Sequence, residues 1–283
     1  MSANRIPMRF DYPRRLLYFL VISLVCLFFA GIVMSVIMGT DGAASARQLR
    51  LATIVQDIVA FILPALVTAI IVTPLPATML GADRMFSLPQ LLTAIGVMIV
   101  SIPAMNILID WNANISLPEW AAGIETYLKE AEARAAGSVD LMLGGEGTGN
   151  LIVSILIVGV LAGLSEELFF RGTLQRLIGS GPLGTHATIW ITAVIFSLFH
   201  MQFYGFFPRI LLGAYFGYLL WWSGSIWLPV IIHALNNTIY VVTYRHPDIN
   251  TDTFGLGDIW LGLASVICTA VLIMWLSKSR KQS

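Results

Sequence analysis

"LIVSILIVGVLAGLSEELFFRGTLQ", Leu151 to Gln175, is an apolar run that ends in three charges, Glu166, Glu167 and Arg171. From Leu151 to Leu164 it holds no ionisable side chain. Such a run reads as a helix inside a lipid phase, so the charges that follow fall where water is scarce. The rest of the chain agrees. Of 283 residues 57% are hydrophobic and 11% charged, with a mean hydropathy of +0.82; soluble domains carry about 25% charged residues. The expected fold class is all-α, a polytopic transmembrane bundle enclosing a polar cavity.

Apolar runs near 16–38, 52–74, 89–109, 151–178, 187–204, 209–222, 226–243 and 258–277 predict about eight spans. They form a single integral membrane domain, 1–283. The sequence "AASA", Ala43 to Ala46, follows the first span like a cleavage site. The apolar core before it is too long for a cleaved signal, so that span reads as a retained anchor. Arg5, Arg9, Arg14 and Arg15 precede the first span, and Lys278, Arg280 and Lys281 follow the last. The positive-inside rule then puts both termini in the cytoplasm, with a bacterial inner membrane as the expected location. The loop near 110–149 is acidic, with Glu119, Glu125, Glu130, Glu132, Asp140 and Glu146 against Lys129 and Arg134. Its segment "LPEWAAGIETYLKEAEARAAG", Leu117 to Gly137, predicts a helix, either lying on the membrane surface or solvated. A net charge of zero gives no footprint for nucleic acid. Cys26 and Cys268 sit in apolar runs and read as small hydrophobes.

Ionisable groups inside spans cost about 2.5 to 3.5 kcal/mol each and usually line a polar cavity. Glu166, Glu167, Arg171, His200 and His233 are such groups. Glu167 and Arg171 are four apart on one helix face and can neutralise each other. Glu166 is rotated about 100° away and left available. The other polar clusters are "FSLFH", Phe196 to His200, and "HALNN", His233 to Asn237. A hairpin of the spans near 151–178 and 187–204 brings Glu166 and His200 to nearly one level at 1.5 Å per residue. His233 lies only about 12 to 15 Å past its loop by the same rise, so its helix must start deeper or tilt.

A carboxylate in low dielectric is an effective base for water. A neighbouring imidazole can orient that water, and a second imidazole with a carboxamide can stabilise an oxyanion. The same glutamate with two histidines also satisfies a His₂Glu zinc site, Glu166, His200 and His233, with metal-bound water as nucleophile. Taken singly, either histidine reads as a packing residue and Arg171 as a side chain that snorkels, as does Arg176. Asp57, in "IVQDIVAF", is another buried acid without an assigned role. His186 and His246 fall in loops and read as surface residues. Pro64, Pro74 and Pro76 are expected to kink or end the second span. "GLGD", Gly255 to Asp258, lacks the second aspartate motif of intramembrane aspartyl proteases. No H-E-x-x-H is present, and "WWSGS", Trp221 to Ser225, lacks the leading glycine of a rhomboid motif.

In order, "EELFFR" fits E-E-x-x-x-R, "FSLFH" fits F-x-x-x-H and "HALNN" fits H-x-x-x-N. With these motifs the stretch from about 150 to 243 resembles the CAAX-protease and bacteriocin-processing group of intramembrane proteases, also called Abi proteins. That group includes the type II CAAX prenyl endopeptidase. The resemblance implies a catalytic core at 150–243 and hydrolysis of a peptide bond in a membrane-anchored substrate, prenylated or bearing a leader peptide. It implies Glu166 as the water-activating base, His200 as its partner, and His233 with Asn237 as oxyanion stabilisers. Glu167, Arg171 and Phe196 take supporting places, and a glutamic rather than metal-dependent chemistry is expected, with no cofactor. The alternatives are a non-catalytic bacteriocin self-immunity or scaffold protein and, behind it, a transporter, for which no inverted repeat is present.

Overall fold

The computed structural model describes residues 6–39, 44–249 and 251–278. Arg5, Ala43, Arg280 and Lys281, used above for topology, lie outside them. The described residues form helices without strands. The long ones are α1 (Tyr12–Met38), α2 (Ala46–Val72), α3 (Leu88–Ala113), α4 (Ala122–Leu143), α5 (Thr148–Gly179), α6 (Thr185–Phe199), α7 (Phe206–Ser223), α8 (Trp227–Arg245) and α9 (Ile259–Lys278). Each of the eight expected spans is one of these helices. Five, namely α1, α2, α3, α5 and α9, are long and apolar enough to cross a membrane, and the chain is an integral membrane protein. The remaining three fall short for physical reasons. α6 has 15 residues and rises only about 22 Å at 1.5 Å per residue, while α7 carries Arg209 and α8 carries His233, Asn236, Asn237 and Arg245, which lower their hydropathy.

Local chemistry sets the helix starts. Asp11 caps α1, accepting from Arg14 N–H, and Ser45 and Ser87 open α2 and α3 with reciprocal bonds to Gln48 and Gln90. Of the kink or end expected at Pro64, the end does not occur: the helix runs on to Val72 through this proline. The backbone winds into wide turns over Gln56–Ile62 just before it, and these absorb the missing N–H and the ring clash of the proline. The helix stops at Val72 and a short one starts at Pro76. In α3, Pro103 leaves backbone groups without partners. Ser265 of α9 repairs the break, donating to the Val100 carbonyl at 2.6 Å and accepting from Ala104 N–H at 3.3 Å.

Helices pair as α1 with α2, α3 with α9, α5 with α8, and α6 with α7. An aromatic core, Phe19, Phe61, Phe169, Phe170 and Phe196, joins α1, α2, α5 and α6. The turn before α8 is drawn into the protein: Ser225 and Ile226 are fully buried, and Ser225 Oγ donates to the Arg84 carbonyl at 2.7 Å. α8 therefore starts below the surface, which supplies the extra depth that His233 needs. The acidic loop forms α4, as its sequence predicts, and is fastened at its C-terminal end and midway along. Arg50 donates to the Met142 carbonyl, Arg245 to the Leu143 carbonyl, and Gln202 to Glu132. Lys129 at 2.6 Å, then the Leu117 N–H, hold the Glu125 carboxyl below its ordinary pKa.

α5 and α8 touch at Gly163, where an added Cβ would lie 2.9 Å from Ala234 N and 3.1 Å from its Cα. No flexible side chain can yield there, so Gly163→Ala must push α8, and His233 beside Ala234, away. Overpacking of this kind costs about 1 to 3 kcal/mol. Gly163→Ala is expected to lower the melting temperature in detergent, while Gly149→Ala, where nothing lies within 4 Å, leaves it unchanged or raises it. Equal melting curves for the two variants would contradict this contact.

Candidate active site

The first motif sits where α5 passes from ordinary helix into wide turns that run over Glu167–Gln175. Such turns are rare and concentrate at functional sites. Glu167 and Arg171 are fully buried and paired, Nη1 donating to Oε1 at 2.8 Å. Arg171 does not snorkel. Its Nη2 donates to the Gly213 carbonyl of α7 at 3.0 Å, and its guanidinium lies 4.3 Å from the Phe196 ring centroid. Cation–π attraction and two hydrogen bonds offset part of its desolvation.

The spacing argument foresaw this pair but not what else Glu167 holds. The same Oε1 accepts from His233 Nδ1 at 2.8 Å, and the His233 ring stacks on Phe216 of α7 at 4.5 Å. Because Nδ1 donates to a carboxylate, the neutral ring is the Nδ1–H tautomer and keeps its lone pair on Nε2. Nε2 faces Glu166 Oε2 at 3.7 Å. Glu166 is half-buried, and that Oε2 is buried without a hydrogen-bond partner among the described residues. Two acceptors thus face each other, too far apart for a direct bond.

His200 ends α6, and its Nδ1 donates to the Phe196 carbonyl at 3.0 Å. Its Nε2 therefore carries the lone pair when the ring is neutral. The Glu166 charge acts on this imidazole. Met201, directly after it, has a left-handed backbone at φ 53°, which halts the helix and leaves His200 at its end. Phe196 is the hub of the set: its ring meets Arg171, His200 and His233. Asn237, one turn beyond His233, spends one amide hydrogen on the Val158 carbonyl of α5 at 3.2 Å and accepts from Asn236. Glu166, Glu167, Arg171, Phe196, His200 and His233 thus form one cluster, with Asn237 at its edge. His186 and His246 are exposed and lie outside it.

Residues 148–239 match the family described as "Type II CAAX prenyl endopeptidase Rce1-like". That match covers α5 to most of α8, the helices that carry the three motifs, and bears out the resemblance. A curated relative, "Uncharacterized protein YpbD" of Bacillus subtilis (strain 168), is 23% identical over 105 residues. The aligned part is 36% of this chain and 51% of the relative, so the chain spans about half the length of the protein it matches. No solved structure matches the chain.

Among the described residues no three His, Cys, Asp or Glu side chains are grouped so as to hold a metal ion. Beside the cluster lies an apolar cavity of about 1630 Å³, walled by Ile102, Leu212, Trp222 and Ile273, with Asn236 and Arg209 as polar edges. Asn236 donates to Asn237 at 3.3 Å, one turn beyond His233, which places that edge next to the cluster. Sequence reading missed Arg209, Phe216, the Gly213 carbonyl and Ser165. None lies in a motif, and a backbone carbonyl has no signature in a sequence.

Proposed function

We propose that this chain is an intramembrane endopeptidase that hydrolyses a peptide bond in a membrane-anchored substrate, with residues 150–243 as its catalytic core. The observation that carries the reading is the facing pair of Glu166 Oε2 and His233 Nε2, 3.7 Å apart and fixed from behind by Glu167, Arg171 and Phe216. Glu166 takes a proton from a water molecule as the water oxygen attacks the scissile carbonyl, and later delivers that proton to the leaving amine. His200, electrostatically coupled to Glu166, assists the transfer, and Asn237 stabilises the oxyanion together with His233 once its Nε2 shares the water's proton. Glu167 keeps His233 in its tautomer, the part played by the orienting acid of other catalytic triads. This sequence of steps uses no metal.

The apolar cavity supports a substrate that brings a hydrocarbon chain, since pockets for small ligands commonly measure about 300 to 1,000 Å³ and this one exceeds that range. A prenylated carboxyl-terminal peptide fits it, and a leader peptide with an apolar helix is the second choice. The basic residues at both ends favour cytoplasmic termini in a bacterial inner membrane. The test is cleavage of a panel of farnesylated, acylated and unmodified peptides in detergent by the purified full chain, with zinc content measured on the same sample. Cleavage of a lipid-bearing peptide at substoichiometric zinc is the expected result. Activity that follows bound zinc would overturn the glutamic mechanism, and a chain inert on all peptides would favour an immunity or scaffold role.

A further inference from the structure

Asp57 is the buried acid that the mechanism leaves unused. It is 2% exposed, in α2, at the start of the wide turns over Gln56–Ile62. Its Oδ1 accepts from Ser165 Oγ at 3.0 Å, and Ser165, itself fully buried, is the residue before Glu166. Asp57 Oδ2 is buried without a hydrogen-bond partner among the described residues, as is Glu166 Oε2, and Glu166 is the charge that acts on Asp57.

Packing does not account for this arrangement. The Ser165 hydroxyl also lies 3.0 Å from the Ala162 carbonyl of its own helix, an ordinary way for serine to satisfy itself in a span. It needs no aspartate from another helix. A carboxylate with one bare oxygen, set near a second carboxylate, loses stability through desolvation and like-charge repulsion. A charged acceptor nevertheless binds a hydroxyl more strongly than a carbonyl does. The result is a strut from α2 to the turn of α5 that presents Glu166, in a region where the backbone changes its winding and is least self-supporting.

We infer that Asp57 is a positioning residue for Glu166, acting through Ser165. The inference rests on the reading of Glu166 given above. It predicts that the strut fixes the helix turn before Glu166 and thereby aims the carboxylate at His233. Misplacement on the scale of an ångström costs up to about a hundredfold in rate, so a partial loss of aim is expected to lower kcat about tenfold.

Two measurements on the detergent-purified full chain test it. One is amide hydrogen exchange over residues 161–168. The other is steady-state cleavage of a farnesylated peptide. Asp57→Leu and Ser165→Ala are each expected to speed exchange and lower kcat with KM unchanged, and the double variant is expected to be no worse than either single one, because both remove the same link. Asp57→Asn, whose amide oxygen accepts the same hydrogen, should restore slow exchange and most of kcat. If Asp57→Leu does not fold, Ser165→Ala and Asp57→Asn decide. Unchanged exchange, losses that multiply, or a change in KM alone would overturn the inference. Glu166→Gln that cleaves like wild type, or a wild type that cuts nothing, would instead overturn the protease reading, and the exchange data would still decide the strut.

Discussion

Glu166→Gln is expected to abolish peptide cleavage while leaving the protein folded. The amide has nearly the same size and shape but cannot take a proton from water, and loss of a general base lowers rate by about 10² to 10⁴. The fold should not suffer. Glu166 Oε2 has no hydrogen-bond partner among the described residues, so the substitution breaks no bond at that atom. It also removes a half-buried charge near Asp57, and the melting temperature should hold or rise. Measured together, kcat and melting temperature separate this result from general damage. Residual kcat above about a tenth of wild type would sink the assignment, because no base worth that little carries the reaction.

What the sequence discloses about this site follows from how each contact is made. The pair of Glu167 and Arg171 is legible because both partners lie on one helix, where a separation of four puts side chains together whatever the tertiary fold. The helices themselves are legible because apolar length is nearly the only requirement for a segment in lipid. Contacts between helices are a different matter. That Glu167 also binds His233, that Phe216 floors the imidazole, and that Asp57 reaches Ser165 depend on the relative rotation of four helices. The wide turns at Gln56–Ile62 and Glu167–Gln175 alter that rotation, and a uniform 3.6-residue period cannot anticipate them. Pro64 shows the same limit, since its sequence offers a kink or an end and does not disclose the wide turn before it. The shared placement of the three motifs was legible only as an ordered set, because each alone is too short to specify a site.

The second large effect concerns Arg171, whose role is to let Glu167 be an anion inside the protein. Arg171→Met keeps the volume and leaves Glu167 as an uncompensated charge with no exposed side-chain surface. Breaking one side of a buried pair costs about 3 to 5 kcal/mol, a large share of the roughly 5 to 15 kcal/mol that holds a typical protein folded. The variant is therefore expected to express poorly and to melt far below wild type. Glu167→Gln should be nearly as damaging, because it strands the guanidinium in turn. Combining the two removes both charges, and replacement of a buried ion pair by uncharged groups is often neutral or stabilising, so Glu167→Gln with Arg171→Met should recover most of the melting temperature. Cleavage should not return with it. The glutamine oxygen still accepts from His233 Nδ1, but a neutral amide no longer steadies the positive charge that the imidazole gains as it shares the proton of the water. Thermal unfolding and kcat on the two single variants and the double variant make the comparison. A double variant that is stable and fully active would reduce the pair to a packing device. A double variant that is stable and inactive ties the buried charges of α5 to the chemistry of His233.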